Sequence, residues 1–131
     1  MDIVISPLSG KPIYVQIVEQ ISAQVVLGEL ASGTALPPIR TVARQLGISV
    51  ITVKKAWEEL QRQGFVTAIV GKGTFVADHH PTELSDRRRT MALERLTKDL
   101  EYYRGLGLTE DEFTELVRQS YGRLDGVTAG G

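Results

Sequence analysis

The residues best suited to chemistry are basic side chains that lie close together in one part of the chain. Residues 39–73 include six basic and two acidic side chains, a local charge of +4, although the whole chain carries −1. From residue 79 to the end, eight basic and ten acidic residues give −2. Guanidinium and ammonium groups pair with phosphate oxygens, so a basic segment is typical of a surface that binds a phosphate backbone. The charge distribution favours a nucleic-acid partner for the middle of the chain and another role for its acidic end.

Other kinds of chemistry find little support in the sequence. The 131 residues include no cysteine, which excludes thiol catalysis and cysteine-ligated metals. His79 and His80 are adjacent and have no third ligand nearby, and no nucleophile, base and orienting group form a set. We therefore expect neither an enzyme nor a bound cofactor or metal. Because no apolar run approaches the ~18 residues of a membrane helix and no secretory signal begins the chain, the sequence predicts a cytoplasmic protein with no membrane partner.

Three amphipathic helices are predicted to position the basic residues. Apolar residues recur every three or four positions over 13–25, as on one face of a helix. A second, short helix over 39–46 follows two prolines and stops at Gly47. Ser49 is a suitable N-cap for a third helix over 50–63. These helices bring most of the basic residues onto two neighbouring elements.

A hairpin follows the third helix. Residues 65–70 and 74–77 are mostly β-branched, aromatic or small, and they flank the flexible tip Gly71-Lys72-Gly73. A polar stretch, 78–81, then closes with proline. We therefore place a first domain at residues 1–78 and a second at residues 79–131.

The second domain is predicted to consist of two amphipathic helices separated by Gly105-Leu106-Gly107. Thr109 and Glu112 form a capping box at the start of the last helix. Two helices of this size cannot bury both apolar faces on each other, so a second copy of the chain is the simplest cover. The predicted dimer interface consists of Leu93, Leu96, Leu100, Tyr103, Phe113, Leu116, Val117 and Tyr121. Packing of this tail on its own first domain is the alternative.

The basic run Arg87-Arg88-Arg89 lies near the start of the tail, close to several acidic residues. Contacts with phosphates near a dimer axis are one interpretation of this run. Because charges of both signs alternate there, we expect a solvated helix face instead.

The spacing of Ala43, Gly47 and Val53 suits a helix-turn-helix, which needs a small residue at the crossing, glycine in the turn and an aliphatic residue inside the second helix. An ordinary helical hairpin fits the same three residues. The basic hairpin that follows favours a winged helix, in which one helix enters the major groove. The predicted fold class is mainly α with a small β-hairpin: a winged helix-turn-helix followed by a two-helix C-terminal dimerisation unit.

Three segments of the chain carry a family resemblance: PIYVQIVEQI, LPPIRTVARQLGISVITVKKAWEELQRQGFV and GKGTFV. Together they make residues 12–77 resemble the DNA-binding domain of GntR-type bacterial transcription regulators. The short two-helix tail is similar to that of the YtrA-like branch, where it serves dimerisation. The resemblance implies a homodimeric repressor that binds a pseudo-palindromic DNA operator and that often controls a neighbouring transporter operon, with no dedicated effector domain. Whether a small-molecule inducer binds is left open.

The resemblance also implies individual contacts. In the family, the arginine of the second helix, the first turn of the recognition helix and the wing glycines contact DNA. By charge and reach, arginine and lysine suit phosphates, while threonine or lysine on the recognition helix suits base edges. A solvated surface charge is the alternative for each basic residue. The predicted DNA-binding residues are Arg40, Arg44, Ser49, Val50, Ile51, Thr52, Lys54, Lys55, Gly71, Lys72 and Gly73.

The chain departs from the family pattern in two places. Pro38 replaces a serine that would cap the second helix, and Val50 and Ile51 replace polar residues at the start of the recognition helix. Neither aliphatic side chain can hydrogen-bond a base, so we hypothesise that one packs against thymine methyl groups. The alternative is that both only support the turn.

The sequence as a whole predicts a sequence-specific regulator of transcription. A winged-helix adaptor for other proteins, or a DNA-binding protein without sequence preference, is the alternative. Similar affinity for operator and random duplex would indicate a DNA-binding protein without sequence preference rather than a regulator.

Overall fold

The computed structural model describes the backbone of residues 1–130 and the side chains of residues 1–126, so Gly131, the last residue of the predicted tail, lies outside the described residues. In chain order the elements are α1 (Ile13–Val26), α2 (Ile39–Leu46), α3 (Val50–Arg62), β1 (Val66–Ile69), β2 (Gly73–Val76), α4 (Pro81–Gly105) and α5 (Glu110–Gly130). The predicted fold class is confirmed: the protein is mainly helical, with one antiparallel hairpin of two strands.

The chain forms two compact units, one over Met1–Arg89 and one that begins at Thr90. The division lies inside α4, since that helix spans Pro81–Gly105. The functional boundary between residues 78 and 79 stays a prediction.

The core of the first unit lies where α1 and α2 pack against α3. The predicted apolar faces are buried: Ile17 and Ile21 of α1 and Leu60 of α3 have no exposed surface. Burying one such side chain stabilises the fold by about 1.5–3 kcal/mol. Because α3 uses one whole face for this core, its opposite face is left for solvent or a ligand.

The hairpin pairs β1 with β2 in antiparallel register, with Val66 opposite Val76. Residues 33–36 pair with the other edge of β2. Leu36 N donates to Thr74 O at 2.8 Å, and Val76 N donates to Thr34 O at 2.8 Å. This pairing satisfies backbone groups of β2 that the hairpin alone leaves open.

The N-terminal segment, residues 2–6, is held by glutamine side chains spaced four residues apart on α1. Gln20 Oε1 accepts from Val4 N at 2.8 Å, and its Nε2 donates to Val4 O at 2.7 Å. Gln16 makes the same pair of bonds with Ser6, and Gln24 donates to the carbonyl two residues before Val4. Four residues of helix advance about 6 Å and two residues of extended chain about 6.6 Å, so the two spacings match. The glutamine side-chain amides thus make the hydrogen bonds with residues 2–6 that a neighbouring β-strand would otherwise make.

The second unit contains the rest of α4 and α5. As predicted, Gly107 ends the break between the helices with a left-handed φ of 83°, and Thr109 caps α5. Thr109 Oγ1 accepts from Glu112 N at 3.2 Å, and Glu112 Oε1 accepts from Thr109 N at 3.3 Å. The rings of Tyr103 and Phe113, 5.2 Å apart, join the two helices. None of the described side chains of this unit is buried.

Candidate nucleic-acid interface

The turn between α2 and α3 sets the direction in which α3 leaves the core. Gly47 has a φ of 67°, a left-handed conformation that side chains with a Cβ rarely adopt. Ile48 N donates to Ala43 O at 3.0 Å and closes the end of α2. A Cβ at Gly47 would meet nothing within 4 Å, so backbone conformation, rather than space, requires the glycine.

Ser49 caps α3, as predicted. Its Oγ accepts from Thr52 N at 3.1 Å, and the two hydroxyls are 2.8 Å apart in a second hydrogen bond. Both residues are among the predicted DNA contacts, and both already serve the first turn of α3. Since one hydroxyl of the pair must donate to the other, the free hydrogen-bonding capacity at this end of the helix is reduced.

The outer face of α3 presents apolar and basic side chains together. Ile51 is 78% exposed, Val50 is 43% exposed, and Lys54 is exposed beside them. The opposite face, with Val53 and Trp57, is buried. An exposed isoleucine next to a lysine on the first turns of a helix is suited to base edges, which offer both methyl groups and hydrogen-bond acceptors.

Lys55 has a partner within the protein that the sequence did not reveal. Its Nζ lies 4.1 Å from the centre of the Tyr14 ring on α1. This cation–π contact orients the ammonium group and joins the recognition helix to α1. The only sequence signal for Tyr14 is its place beside the apolar stripe of α1.

On α2, Arg40 and Arg44 are both exposed. They are four residues apart, so they lie on the same side of the helix. A pair of guanidinium groups in this arrangement can bind successive phosphates of a backbone. Basic groups on α2 and on the start of α3 thus flank the turn at Gly47.

The wing tip is formed by Gly71, Lys72 and Gly73. Gly71 and Gly73 have φ values of 76° and 120°, and Lys72 N donates to Ile69 O at 3.0 Å to close the turn. Lys72 is exposed at the tip, next to Val70, which is wholly exposed. The tip therefore presents a positive charge and exposed backbone on the surface.

One basic residue of the segment, Arg62, already has an acidic partner within the protein. Arg62 Nη2 donates to Glu59 Oε1, and Arg62 Nε donates to Glu59 Oε2 at 2.9 Å. The hydrogen bonds from Arg62 and then Gln63 lower the pKa of Glu59 to about 2, and the pair raises the pKa of Arg62. Because this pKa is lowered, Glu59 stays charged and the ion pair stays intact above pH 4. The pair weakens only as the pH falls toward 2, where Glu59 becomes protonated. The free positive charge therefore comes from α2, the start of α3 and the wing.

Replacing Ser49 separates its capping role from any role toward DNA. Ser49→Ala is expected to lower the free energy of unfolding by about 1 kcal/mol, because Thr52 N loses its acceptor. Ser49→Asp keeps a capping oxygen and should unfold near the wild type, yet it should weaken DNA binding because it adds a negative charge at this end of α3. Denaturant unfolding followed by the buried Trp57, with binding titrations, measures both. Equal stability of wild type and Ser49→Ala would show that the cap contributes nothing.

In the part of the chain that the structure describes, no group of three histidine, aspartate or glutamate side chains is arranged to hold a metal ion. None of the described helices is long and apolar enough to cross a membrane.

A glycine turn between two packed helices, an exposed second helix and a glycine-tipped hairpin define a winged helix-turn-helix DNA-binding domain. The family model described as "Bacterial regulatory proteins, gntR family" matches residues 13–76. The chain belongs to the GntR family of transcription regulators, which are not enzymes.

Relatives and a solved structure extend this result. YhcF of Bacillus subtilis (strain 168), an uncharacterized HTH-type transcriptional regulator, is 36% identical over 112 residues, 84% of this chain and 90% of YhcF. The HTH-type transcriptional repressor YtrA of the same strain is 35% identical over 92 residues, 70% of this chain and 71% of YtrA. The structure of AraR(DBD) in complex with operator ORX1 aligns with this chain with a TM-score of 0.52 and 32% identity. The alignment covers 59% of this chain and 96% of the AraR(DBD) chain. The predicted likeness to GntR and YtrA-type regulators is confirmed.

Proposed function

We propose that this regulator is a homodimeric repressor that binds a pseudo-palindromic operator with one winged helix per half-site. The observation that carries the proposal is the outer face of α3, where Ile51 and Lys54 are exposed while the inner face forms the core. Two similar proteins support it: YtrA is a transcriptional repressor, and the structure of AraR(DBD) is a complex with an operator.

Exposed apolar residues in the second unit support the dimer. Leu93 and Tyr121 are 60% and 65% exposed, and Leu96, Leu116 and Val117 between 37% and 43%. An open groove of about 440 Å³ between α4 and α5 is lined by several of them. A soluble monomer rarely leaves such a surface uncovered, and a second copy covers it with identical chemistry. Leu100, Tyr103 and Phe113 are half-buried and complete the proposed interface.

The proposed contacts divide by chemistry. Arg40, Arg44, Lys55 and Lys72 bind phosphates and set the docking, while the glycines of the wing let its backbone approach a groove. Val50, Ile51 and Lys54 reach base edges. Ser49 and Thr52 shape the first turn of α3 and contact DNA with the hydrogen-bonding capacity that remains.

The resemblance to the YtrA-like branch points to a neighbouring transporter operon as the regulated target. Because the target is chromosomal DNA, the protein acts in the cytoplasm. An inducer, if one exists, has no assigned residues.

Selection of bound sequences from random duplex DNA tests the proposal. We expect an inverted repeat with one preferred separation of its half-sites, because a twofold dimer presents two identical recognition helices. Enrichment of a single half-site would contradict the dimer. No enrichment would contradict sequence-specific regulation and favour a protein adaptor or sequence-indifferent binding.

Replacing thymine by uracil in the selected operator tests the apolar contact of α3. At the position that Ile51 or Val50 reaches, the loss of the methyl group is expected to lower the affinity about threefold to tenfold. Ile51→Ala should abolish the difference between thymine and uracil there, whereas Leu8→Ala, at a site that is 94% exposed on the N-terminal segment, should preserve it. If uracil is tolerated at every position, these side chains only support the turn.

A further inference from the structure

Arg87 of α4 makes two contacts with the end of the recognition helix, although the sequence predicts a solvated face there. Its Nη2 donates to Gln63 O at 2.8 Å, and its guanidinium carbon lies 4.3 Å from the centre of the Phe65 ring. All three residues belong to the unit over Met1–Arg89. Arg87 is half-buried, whereas Arg88 and Arg89 are exposed.

Both partners of Arg87 are fixed points of the DNA-binding unit. Gln63 is the C-cap of α3, so its carbonyl lies at the negative end of the helix dipole, where a cation is favoured. Phe65 is only 1% exposed and its carbonyl accepts from Ala77 N at 2.9 Å, at the end of β2. A planar guanidinium can stack on a ring and donate in its own plane at the same time, which an ammonium group cannot do.

Two other residues between β2 and Arg87 are partly covered: the His79 side chain is 14% exposed, and Leu84 is half-buried. His79 N donates to Ser32 Oγ at 3.3 Å, and Leu84 N donates to His80 O within the first turn of α4. Arg87 makes a side-chain hydrogen bond that joins the first turns of α4 to the end of α3.

We propose that Arg87 is a positioning residue for operator binding: by holding α4 to the end of α3, it fixes the direction in which the chain leaves the DNA-binding unit, and so sets the permitted distance between half-sites. This inference rests on the proposed function, since it requires a dimer on two half-sites. Each base pair inserted between half-sites moves one of them by about 3.4 Å and rotates it by about 35°. If α4 is held in place, the two winged helices of a dimer cannot both follow this shift, and binding weakens. If α4 is free to move, both winged helices can still reach their half-sites.

The test compares the full-length wild type with Arg87→Ala, and uses Arg88→Ala, which removes the same charge from the next position, as the matched control. Affinity is measured for the selected operator, for operators with one or two base pairs inserted or deleted at the centre, and for a single half-site. We expect the wild type and Arg88→Ala to lose about a hundredfold on respaced operators. Arg87→Ala should bind the original operator about tenfold more weakly, lose less than threefold on respacing and keep its half-site affinity.

Fluorescence of the buried Trp57 shows whether Arg87→Ala is folded. If it is not, Arg87→Lys provides the same test, because lysine keeps the charge and cannot make both contacts at once. A steep dependence on spacing in the variant would overturn the proposal. So would a lower half-site affinity with a salt dependence reduced by about one ion, because Arg87 would then be a phosphate contact.

Hydrogen exchange of the DNA-free protein distinguishes failure of this inference from failure of the proposed function. Amides 84–89 should exchange about tenfold faster in Arg87→Ala than in the wild type or Arg88→Ala. Unchanged exchange would overturn the positioning role, whatever the DNA experiments give. If exchange is faster in Arg87→Ala but the wild type binds operators of every spacing equally well, the proposed operator with one preferred spacing is wrong. The proposed effect of Arg87 on that spacing is then wrong as well.

Discussion

Replacing Leu96 by glutamate is expected to turn the protein from a dimer into a monomer and to lower its affinity for the operator by about a hundredfold or more. Leu96 is 43% exposed and lines the groove between α4 and α5 with Tyr103, Phe113 and Leu116. In the proposed dimer, glutamate would bring an unpaired charge from each chain into an apolar interface. Light scattering should report one chain mass, 14.4 kDa, in place of twice that value.

Leu8→Glu is the matched control for this change. Leu8 is 94% exposed and lies in the N-terminal segment, outside the proposed interface, so the same substitution there should leave the mass and the operator affinity unchanged. Half-site binding should be equal in wild type and both variants. A wild-type mass of one chain, or a dimeric Leu96→Glu protein, would show that the second unit does not hold the dimer in this way.

Replacing Lys54 by alanine is expected to lower operator affinity by about a hundredfold and random-duplex affinity by less than threefold. Lys54 is exposed on the outer face of α3, beside Ile51. Loss of one base contact costs about 1–3 kcal/mol. Since a dimer loses the contact in both half-sites, even a tenfold effect per half-site multiplies to a hundredfold. Competition titrations with operator and random duplex measure the two losses.

Lys98→Ala, which removes the same charge from the exposed surface of α4, should bind both duplexes as the wild type does. Equal losses on operator and random duplex in Lys54→Ala would instead make Lys54 a phosphate contact. The sequence readout would then lie in other residues of α3.

Local signals were enough to predict most of the first unit. The bounds of α2, 39–46, are as predicted, because proline before the helix and glycine after it limit the helix on both sides. Ser49 is the cap that its position indicates. As the loss of serine at Pro38 implies, α2 begins without a side-chain cap. These features depend on residues within a few positions of one another.

What the sequence did not reveal depends on distant partners. The first turns of α4, 81–89, are mostly polar and lack an apolar period, so no apolar pattern marks Pro81 as the start of the helix. The pairing of 33–36 with β2 involves too few residues for a strand pattern. The contacts of Arg87 and Tyr14 depend on how helices pack, and a surface arginine or tyrosine looks the same in the sequence whether or not it has such a partner.

The near-zero net charge of the chain agrees with two different proposed roles, DNA binding for the first unit and dimerisation for the second. Positive charge is concentrated on α2, the start of α3 and the wing, while the second unit is acidic overall. Weak attraction to DNA of any sequence is expected from so few free cations. The proposed discrimination between sequences therefore depends on base and groove contacts, which the proposed dimer makes in both half-sites.

Equilibrium binding of the wild-type protein to the selected operator and to random duplex of equal length, at about 0.15 M salt, tests the central claim most directly. We expect the operator to bind at least a thousandfold more tightly, with two chains on each operator. Equal affinity for the two duplexes, or one chain per operator at saturation, would contradict a dimeric, sequence-specific regulator.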